Sequence, residues 1–126
     1  GVATEAEAAS TVAQLPRPEY DFGLANCEPG ARTSAFQWDY PNGWAPLHFI
    51  AVHGLMRYGY HAEAERIARK YIRAIDRTFA ETGTLWEKYN VTDGTLNVTD
   101  EYQMPPMLGW TAGVYVDFAA LLAGNG

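Results

Sequence analysis

Two stretches of this chain contain the residue types that carbohydrate chemistry uses, and the first is the turn 37–46. It reads Gln37-Trp38-Asp39-Tyr40-Pro41-Asn42-Gly43-Trp44-Ala45-Pro46. Indole faces stack on the C–H faces of a pyranose, while Asp, Asn and Gln supply donors and acceptors for its hydroxyls. The turn is therefore either a sugar-binding platform or a buried aromatic turn that anchors the following helix.

The second stretch carries two glutamates at the ends of one loop. Glu87 lies in Leu85-Trp86-Glu87-Lys88-Tyr89, and Glu101 lies in Asp100-Glu101-Tyr102-Gln103. Glycoside hydrolysis uses two carboxyl groups, which stand roughly 6.5 to 9.5 Å apart in the inverting mechanism so that a water fits between. The alternative is that both glutamates are ordinary solvated loop residues.

Composition narrows the classes of partner. The chain has 126 residues, the size of one domain, with 9 basic and 15 acidic residues and a formal charge of −6. No basic stripe alternates with aromatic residues, so we expect no nucleic-acid partner. No apolar run approaches the length of a membrane span, so we expect no membrane partner either. A neutral small molecule fits this composition better.

Cysteine and histidine do not suggest a metal site. Cys27 is the only cysteine, which excludes an internal disulfide and a multi-cysteine site, and we expect it to be a small buried hydrophobe. His48 and His53 are five residues apart and would point away from each other on a helix. At least one of them should be a core histidine with a satisfied hydrogen bond. We expect no metal and no organic cofactor.

Hydrophobic periodicity predicts an all-α fold with long irregular loops. Thr4 should cap a first helix, with Glu7 as its capping-box partner, ending near Leu15. The segment 17–42 should be a long loop. An inner helix over 44–58 and an amphipathic outer helix over 62–82 should form an αα-hairpin. Residues 84–91 could be extended, and a last helix over 109–123 should bury Trp110, Val114, Tyr115, Phe118, Leu121 and Leu122.

The turn 37–46 closely resembles a signature of the trehalases, the glycosidases that hydrolyse α,α-trehalose to two glucoses. Glu87-Lys88-Tyr89 is similar to the Glu-Lys-Tyr-Asp element of that family. Glu101-Tyr102, followed by Gly109-Trp110-Thr111-Ala112-Gly113-Val114, is similar to its Glu-Tyr…Gly-Trp-Thr-Asn-Gly-Val element. The three matches occur in the family's order and span residues 37 to 114.

The resemblance implies roles for individual residues. Glu87 would be the catalytic base that deprotonates the attacking water, and Glu101 would hold a glucose hydroxyl. Lys88 and Tyr89 would support Glu87 and tune its basicity. The remaining sugar contacts would come from the first turn, at Gln37, Trp38, Asp39, Asn42 and Trp44.

Two departures from the family pattern affect the region over the pocket. Asn90 stands where the family usually has Asp. The stretch Leu96-Asn97-Val98-Thr99-Asp100 replaces a glycine-rich run, so a lid of different shape and mobility is expected.

Trehalases resemble a toroid of six αα-hairpins, and the resemblance implies that residues 1–126 form one partial domain, the C-terminal portion of such an α/α barrel. The general acid would then lie on the N-terminal part of the barrel, which would be the partner of this chain. We expect the chain alone to be inactive and its inner helix to expose apolar surface. Two alternatives are a related α/α-barrel glycosidase acting on another glucoside and a non-catalytic, carbohydrate-binding helical module.

Overall fold

Four helices and four short strands make up the part of the chain that the structure, a computed structural model, describes: residues 1–30, 36–106 and 109–124. In chain order they are α1 (Glu5–Val12), β1 (Glu19–Tyr20), β2 (Gly23–Leu24), β3 (Asn42–Trp44), α2 (Ala45–Arg57), α3 (His61–Thr82), β4 (Lys88–Asn90) and α4 (Gly109–Gly124). The predicted all-α class is confirmed. None of the described helices is both long and apolar enough to cross a bilayer.

Helix α1 begins where the capping residues predict. The Thr4 hydroxyl accepts a hydrogen bond from the Glu7 amide, and the Glu7 carboxylate accepts one from the Thr4 amide at 2.7 Å, which completes the capping box. The helix ends at Val12, three residues before the predicted end, and turns continue to Pro18. The Tyr58 hydroxyl binds the backbone of Ala3, which fastens the start of α1 against the end of α2.

Helices α2 and α3 form the predicted hairpin, and α4 packs against both. Gly59 follows α2 with a φ of +82°, a conformation that favours glycine at this position. The amphipathic spacing of α3 buries one face that meets α2 and α4. The core of the described chain consists mainly of apolar side chains from the three helices, among them Val52, Leu55, Ala64, Ile67, Ala68, Tyr71, Ala74, Ile75, Val114 and Phe118.

Large apolar side chains are exposed on all three helices of the core. On the inner helix α2, Leu47, Phe49 and Ile50 lie at the surface, with Ile50 65% exposed, which confirms the expected apolar surface on this helix. Phe79 on α3 is also exposed. Trp110 on α4 was predicted to be buried and is exposed, because periodicity identifies an apolar face but not whether a neighbour covers it.

The segment predicted as a long loop contains a small hairpin, which corrects that prediction. Strands β1 and β2 pair antiparallel, with Glu19 opposite Leu24 and Tyr20 opposite Gly23. Arg66 and Lys70 of α3 both bind the Glu19 carboxylate at 2.8 Å, which fixes the hairpin on the helix. The two-residue strands carry too little periodicity to be recognised in the sequence.

His48 is the core histidine that the sequence predicts, and it joins α2 to this hairpin. Its ring is fully buried, with Nε2 accepting from the Leu24 amide at 2.8 Å and Nδ1 donating to the Trp44 carbonyl at 2.8 Å. Burial lowers the pKa of His48 to about 4, so the ring is neutral at neutral pH. Tyr71 stacks on it with ring centroids 3.7 Å apart.

Cys27 is exposed, not buried as predicted. Its sulfur accepts a hydrogen bond from the Tyr40 amide at 3.2 Å, at the edge of the turn 37–46. The residue lies in a loop between two short strands, where a small apolar side chain has no helix face to join.

Candidate active site

A two-stranded sheet brings the turn 37–46 against the segment that carries Glu87. Strands β3 and β4 pair antiparallel, with Asn42 opposite Asn90, Gly43 opposite Tyr89, and Trp44 opposite Lys88. A Cβ on Gly43 would lie 2.3 Å from Val91 and 2.7 Å from the Leu24 carbonyl, so this close approach requires glycine. Two motifs more than forty residues apart in the sequence are therefore neighbours.

Glu87 lies at the centre of this region in a buried, polar environment. Its side chain is 8% exposed, and its Oε2 accepts hydrogen bonds from Lys88 Nζ at 2.9 Å and from the Tyr102 hydroxyl at 2.6 Å. Burial, and after it the hydrogen bond to Glu87, raises the pKa of Tyr102 to about 12. Tyr102 consequently stays protonated at neutral pH and acts as a donor to the carboxylate.

The two oxygens of Glu87 are used differently. Both hydrogen bonds go to Oε2, and none of the residues that the structure describes donates a hydrogen bond to Oε1. A general base needs one oxygen that is held in place and one that can accept a proton from water. Glu87 has this arrangement.

Lys88 is the most buried charged side chain near Glu87. The residue is 0% exposed, and its ammonium binds both Glu87 and the Asp100 carboxylate. Nζ also lies 5.3 Å from the centroid of Trp44 and 5.0 Å from that of Tyr102, within range of a cation–π interaction. The sequence-based prediction that Lys88 supports Glu87 agrees with these contacts, although its catalytic consequence stays a prediction.

Four consecutive residues, Thr99 to Tyr102, connect the two motifs, and we call them the clasp. Thr99 binds Asn42 and the Phe36 carbonyl, and Glu101 accepts from the Gln37 amide at 3.2 Å. Asp100 and Tyr102 bind Lys88 and Glu87 instead. Alternate residues of the clasp thus bind different motifs: Thr99 and Glu101 bind the turn, and Asp100 and Tyr102 bind the segment of Glu87.

The aromatic side chains of the turn form a stack with one exposed end. Trp38 lies parallel to Trp44, with centroids 4.1 Å apart and an interplanar angle of 7°, and Trp110 meets Trp44 edge-on at 5.4 Å. Trp38 is 45% exposed, whereas Trp44 is 3% exposed. Trp38 therefore offers surface to a ligand, and Trp44 supports it from behind.

Asn42 is fully buried and its side chain is saturated by the protein. Its Nδ2 donates to the Gln37 carbonyl at 2.9 Å and to Thr99, and its Oδ1 accepts from the Thr99 amide at 3.0 Å. Asn42 therefore joins the turn to the clasp, and its direct contact with a sugar stays a prediction.

Asp39 and Gln37 are used mainly in shaping the turn. The Asp39 carboxylate accepts from the Phe36 amide at 3.1 Å, and the Gln37 carbonyl accepts from the Trp44 indole at 2.9 Å. The side-chain Oε1 of Gln37 is buried and has no partner among the described residues. A buried acceptor without a donor is costly, which makes Gln37 a position where a ligand hydroxyl could bind.

Tyr89 and Trp86 hold the segment on either side of Glu87. The Tyr89 hydroxyl accepts from the Trp86 amide at 2.9 Å, and the Trp86 carbonyl accepts from Thr111 of α4 at 2.7 Å. Tyr89 thus supports the Glu87 backbone rather than its carboxylate. Glu101 is exposed beside Gln37, and no direct contact joins it to Glu87 within the described chain.

Sequence reasoning missed three members of this site: Thr99, Asp100 and Tyr102. Thr99 and Asp100 lie in the stretch that departs from the family pattern, so no motif pointed to them. The available signal was that Asp100 and Tyr102 lie directly before and after Glu101. Among the described residues no group of three or more histidine, cysteine or acidic side chains is arranged to hold a metal ion.

Comparison with known proteins gives a consistent set of relatives. A family model described as Trehalase matches residues 3–123. A periplasmic trehalase from Pseudomonas aeruginosa is 39% identical over 113 residues, covering 89% of this chain and 20% of that protein. A periplasmic trehalase from Xanthomonas oryzae pv. oryzae is 41% identical over 71% of this chain and 16% of that protein.

A solved structure agrees with these sequence matches. The neutral trehalase from Saccharomyces cerevisiae superposes with a TM-score of 0.80 and 33% identity, covering 96% of this chain and 22% of that one. The chain therefore spans about a fifth of the length of the relatives it matches.

Proposed function

The chain belongs to the trehalase family, and we propose that it supplies the water-activating half of an active site that hydrolyses α,α-trehalose with inversion. The observation that carries the proposal is the Glu87 carboxylate: Lys88 and Tyr102 donate hydrogen bonds to Oε2, and none of the described residues donates one to Oε1. The relatives named as trehalases supply the substrate class.

In this proposal Oε1 of Glu87 accepts a proton from a water as that water attacks the anomeric carbon. Lys88 and Tyr102 hold Oε2, so the side chain keeps its direction while the charge on the carboxylate changes. Proton transfer to a positioned base contributes roughly 10² to 10⁴ in rate. The buried surroundings of Glu87 strengthen these electrostatic contacts.

The sugar lies on the exposed side of the turn. The face of Trp38 stacks on a glucose ring, and the exposed Glu101 carboxylate accepts from a hydroxyl. The Gln37 Oε1, which is buried, accepts from a second hydroxyl once its side chain rotates outward. Asp39 and Trp44 keep this surface in shape, as does Asn42 through the clasp. Trp38 and Gln37 favour sugar binding because one has an exposed ring and the other an acceptor without a partner.

The proton donor comes from a segment outside these 126 residues. Asp100 and Glu101, the two carboxylates of the clasp, are each engaged, one with Lys88 and the other with the Gln37 amide. An inverting site needs a second carboxyl on the opposite side of the glycosidic bond. The 126-residue chain alone should therefore release no glucose from trehalose, and measurable release would contradict this placement.

The test is the anomeric form of the product, followed by proton NMR on the protein at its full natural length. Inversion at the attacked carbon gives one β-glucose, and the leaving glucose keeps its α configuration. Equal initial amounts of α- and β-glucose are expected, before mutarotation. Two α-glucoses would indicate retention, and no turnover of trehalose alongside turnover of another glucoside would favour the alternative substrate.

A further inference from the structure

We propose that Asp100 is a positioning residue for Glu87, acting through the ammonium group of Lys88; this role rests on the function proposed above. The group that Asp100 contacts is not solvated. Lys88 is fully buried, whereas the Asp100 side chain is 29% exposed and reaches inward from the clasp to meet it.

Asp100 changes the charge balance around Lys88. One buried ammonium serves two carboxylates, Glu87 and Asp100, while Tyr102 contributes only a neutral hydroxyl. Glu101 is the other acidic group of the clasp, and its Oε2 is engaged with the Gln37 amide. Asp100 therefore takes a share of the electrostatic interaction that Lys88 would otherwise make with Glu87 alone.

Asp100 also fixes the direction in which the Lys88 ammonium points. An ammonium has three donors on a flexible stem, so it needs more than one acceptor to stay in one place. Nζ binds Asp100 on the clasp, and its hydrogen bond to Glu87 goes to Oε2. Without Asp100 the ammonium can move towards Oε1, the oxygen that must remain open to water.

The clasp holds Asp100 in place from both sides. Thr99 is bound to Asn42 through both its backbone and its side chain, and Glu101 is bound to the Gln37 amide. Asp100 thus sits between two tethered neighbours. Its carboxylate therefore reaches Lys88 from a fixed backbone rather than from a free loop.

The decisive variant is Asp100→Asn, which keeps the shape and removes the charge. The acid limb of its kcat/KM profile for trehalose should move to lower pH by about one unit, since the Glu87 anion gains the whole ammonium. The value of kcat should fall. Asp100→Glu, which restores the charge, should return the acid limb to its wild-type position.

Two controls separate charge from loop anchoring. Thr99→Val loosens the same clasp without removing a charge and should change KM while leaving the acid limb in place. Glu5→Gln removes one negative charge from the exposed first turn of α1 and should leave the whole profile unchanged. An equal shift of the acid limb in Thr99→Val would overturn the proposal.

The outcomes also distinguish this proposal from the function it rests on. If the wild-type protein does not hydrolyse trehalose, or Glu87→Gln does so normally, the proposed function fails. If both behave as expected while the acid limb of Asp100→Asn coincides with wild type, only the role of Asp100 fails. Should Asp100→Asn not fold, Asp100→Glu decides, because a moved acid limb in that charge-conserving variant would contradict the proposal.

Discussion

The interface between α2 and α3 buries alkyl and aromatic side chains, whereas the contacts around Glu87 bury charges and amides. In the helical layer Val52, Ile67 and Ile75 are fully or almost fully buried among other apolar groups. In the site Asn42 and Lys88 are equally buried, and each satisfies several polar partners. The first kind of contact loses stability gradually when it is trimmed, whereas the second leaves an unpaired group behind. A substitution in the helical layer should therefore lower stability without lowering activity, whereas a substitution in the site should lower both.

Among substitutions that test this difference, Lys88→Met should have the largest effect on stability and activity. Two carboxylates would then share a buried site without their cation, at a cost of about 3 to 5 kcal/mol in the free energy of unfolding. A displaced Glu87 should also lower kcat, by roughly 10²-fold for a shift of about 1 Å. Urea unfolding and trehalose kinetics measure the two quantities.

The matched variant in the helical layer is Ile67→Ala. Removing this fully buried side chain should cost about 2 to 5 kcal/mol in the free energy of unfolding, while kcat of the folded protein stays unchanged. If Lys88→Met lost stability but kept kcat, the two regions would not differ in the way described.

The next largest effect is the pH dependence of stability caused by His48, which lies on α2 and binds β2. It amounts to about 3 kcal/mol at most in the free energy of unfolding. Its pKa is about 4 in the folded chain against 6.5 for a free histidine, so the unfolded state binds its proton first. The stability that His48 contributes is complete above about pH 6.5 and is lost as the pH falls towards about 4.

Urea unfolding of wild type and His48→Gln between pH 7.5 and pH 4.5 checks this dependence. The stability difference between the two proteins should shrink as the pH falls. Val52→Ala, a fully buried non-titrating change on the same helix, should show a difference that does not vary with pH. A constant difference for His48→Gln as well would contradict the burial of a neutral ring.

The smallest effect distinguishes two asparagines near the turn. Asn42→Ala leaves the partners on Gln37 and Thr99 without hydrogen bonds, at a cost of about 1 to 3 kcal/mol, and should raise KM because the clasp loosens. Asn26→Ala is the matched control, since its side-chain atoms are buried without partners in the described chain. Because Asn26→Ala breaks no hydrogen bond within the described chain, it should lower the free energy of unfolding less than Asn42→Ala does.

The helices could be predicted from the sequence because their signals are local. The Thr4 and Glu7 cap, the 3.6-residue spacing of α3 and Gly83 at its end are all readable in short windows. The exposure of Trp110 could not be read there, because a periodic face says nothing about what covers it.

The site was predictable only in part. The motif residues Glu87, Lys88 and Trp38 were identified, but the pairing of β3 with β4 depends on a contact between distant segments. The contacts of Asn42 with Gln37 and Thr99 could not be predicted, because a buried amide bonded to the protein and a sugar-binding amide look the same in sequence. Asp100 was missed because its partner, Lys88, is twelve residues away and becomes its neighbour only in the fold.

The central claim is that Glu87 activates water through Oε1, which accepts no hydrogen bond from the residues that the structure describes. Trehalose turnover by Glu87→Gln at full natural length tests it most directly, with Glu5→Gln as the control for loss of one charge. The account predicts that kcat falls by roughly 10² to 10⁴ in Glu87→Gln with little change in KM, and that Glu5→Gln matches wild type. A kcat for Glu87→Gln within a few fold of wild type would contradict it.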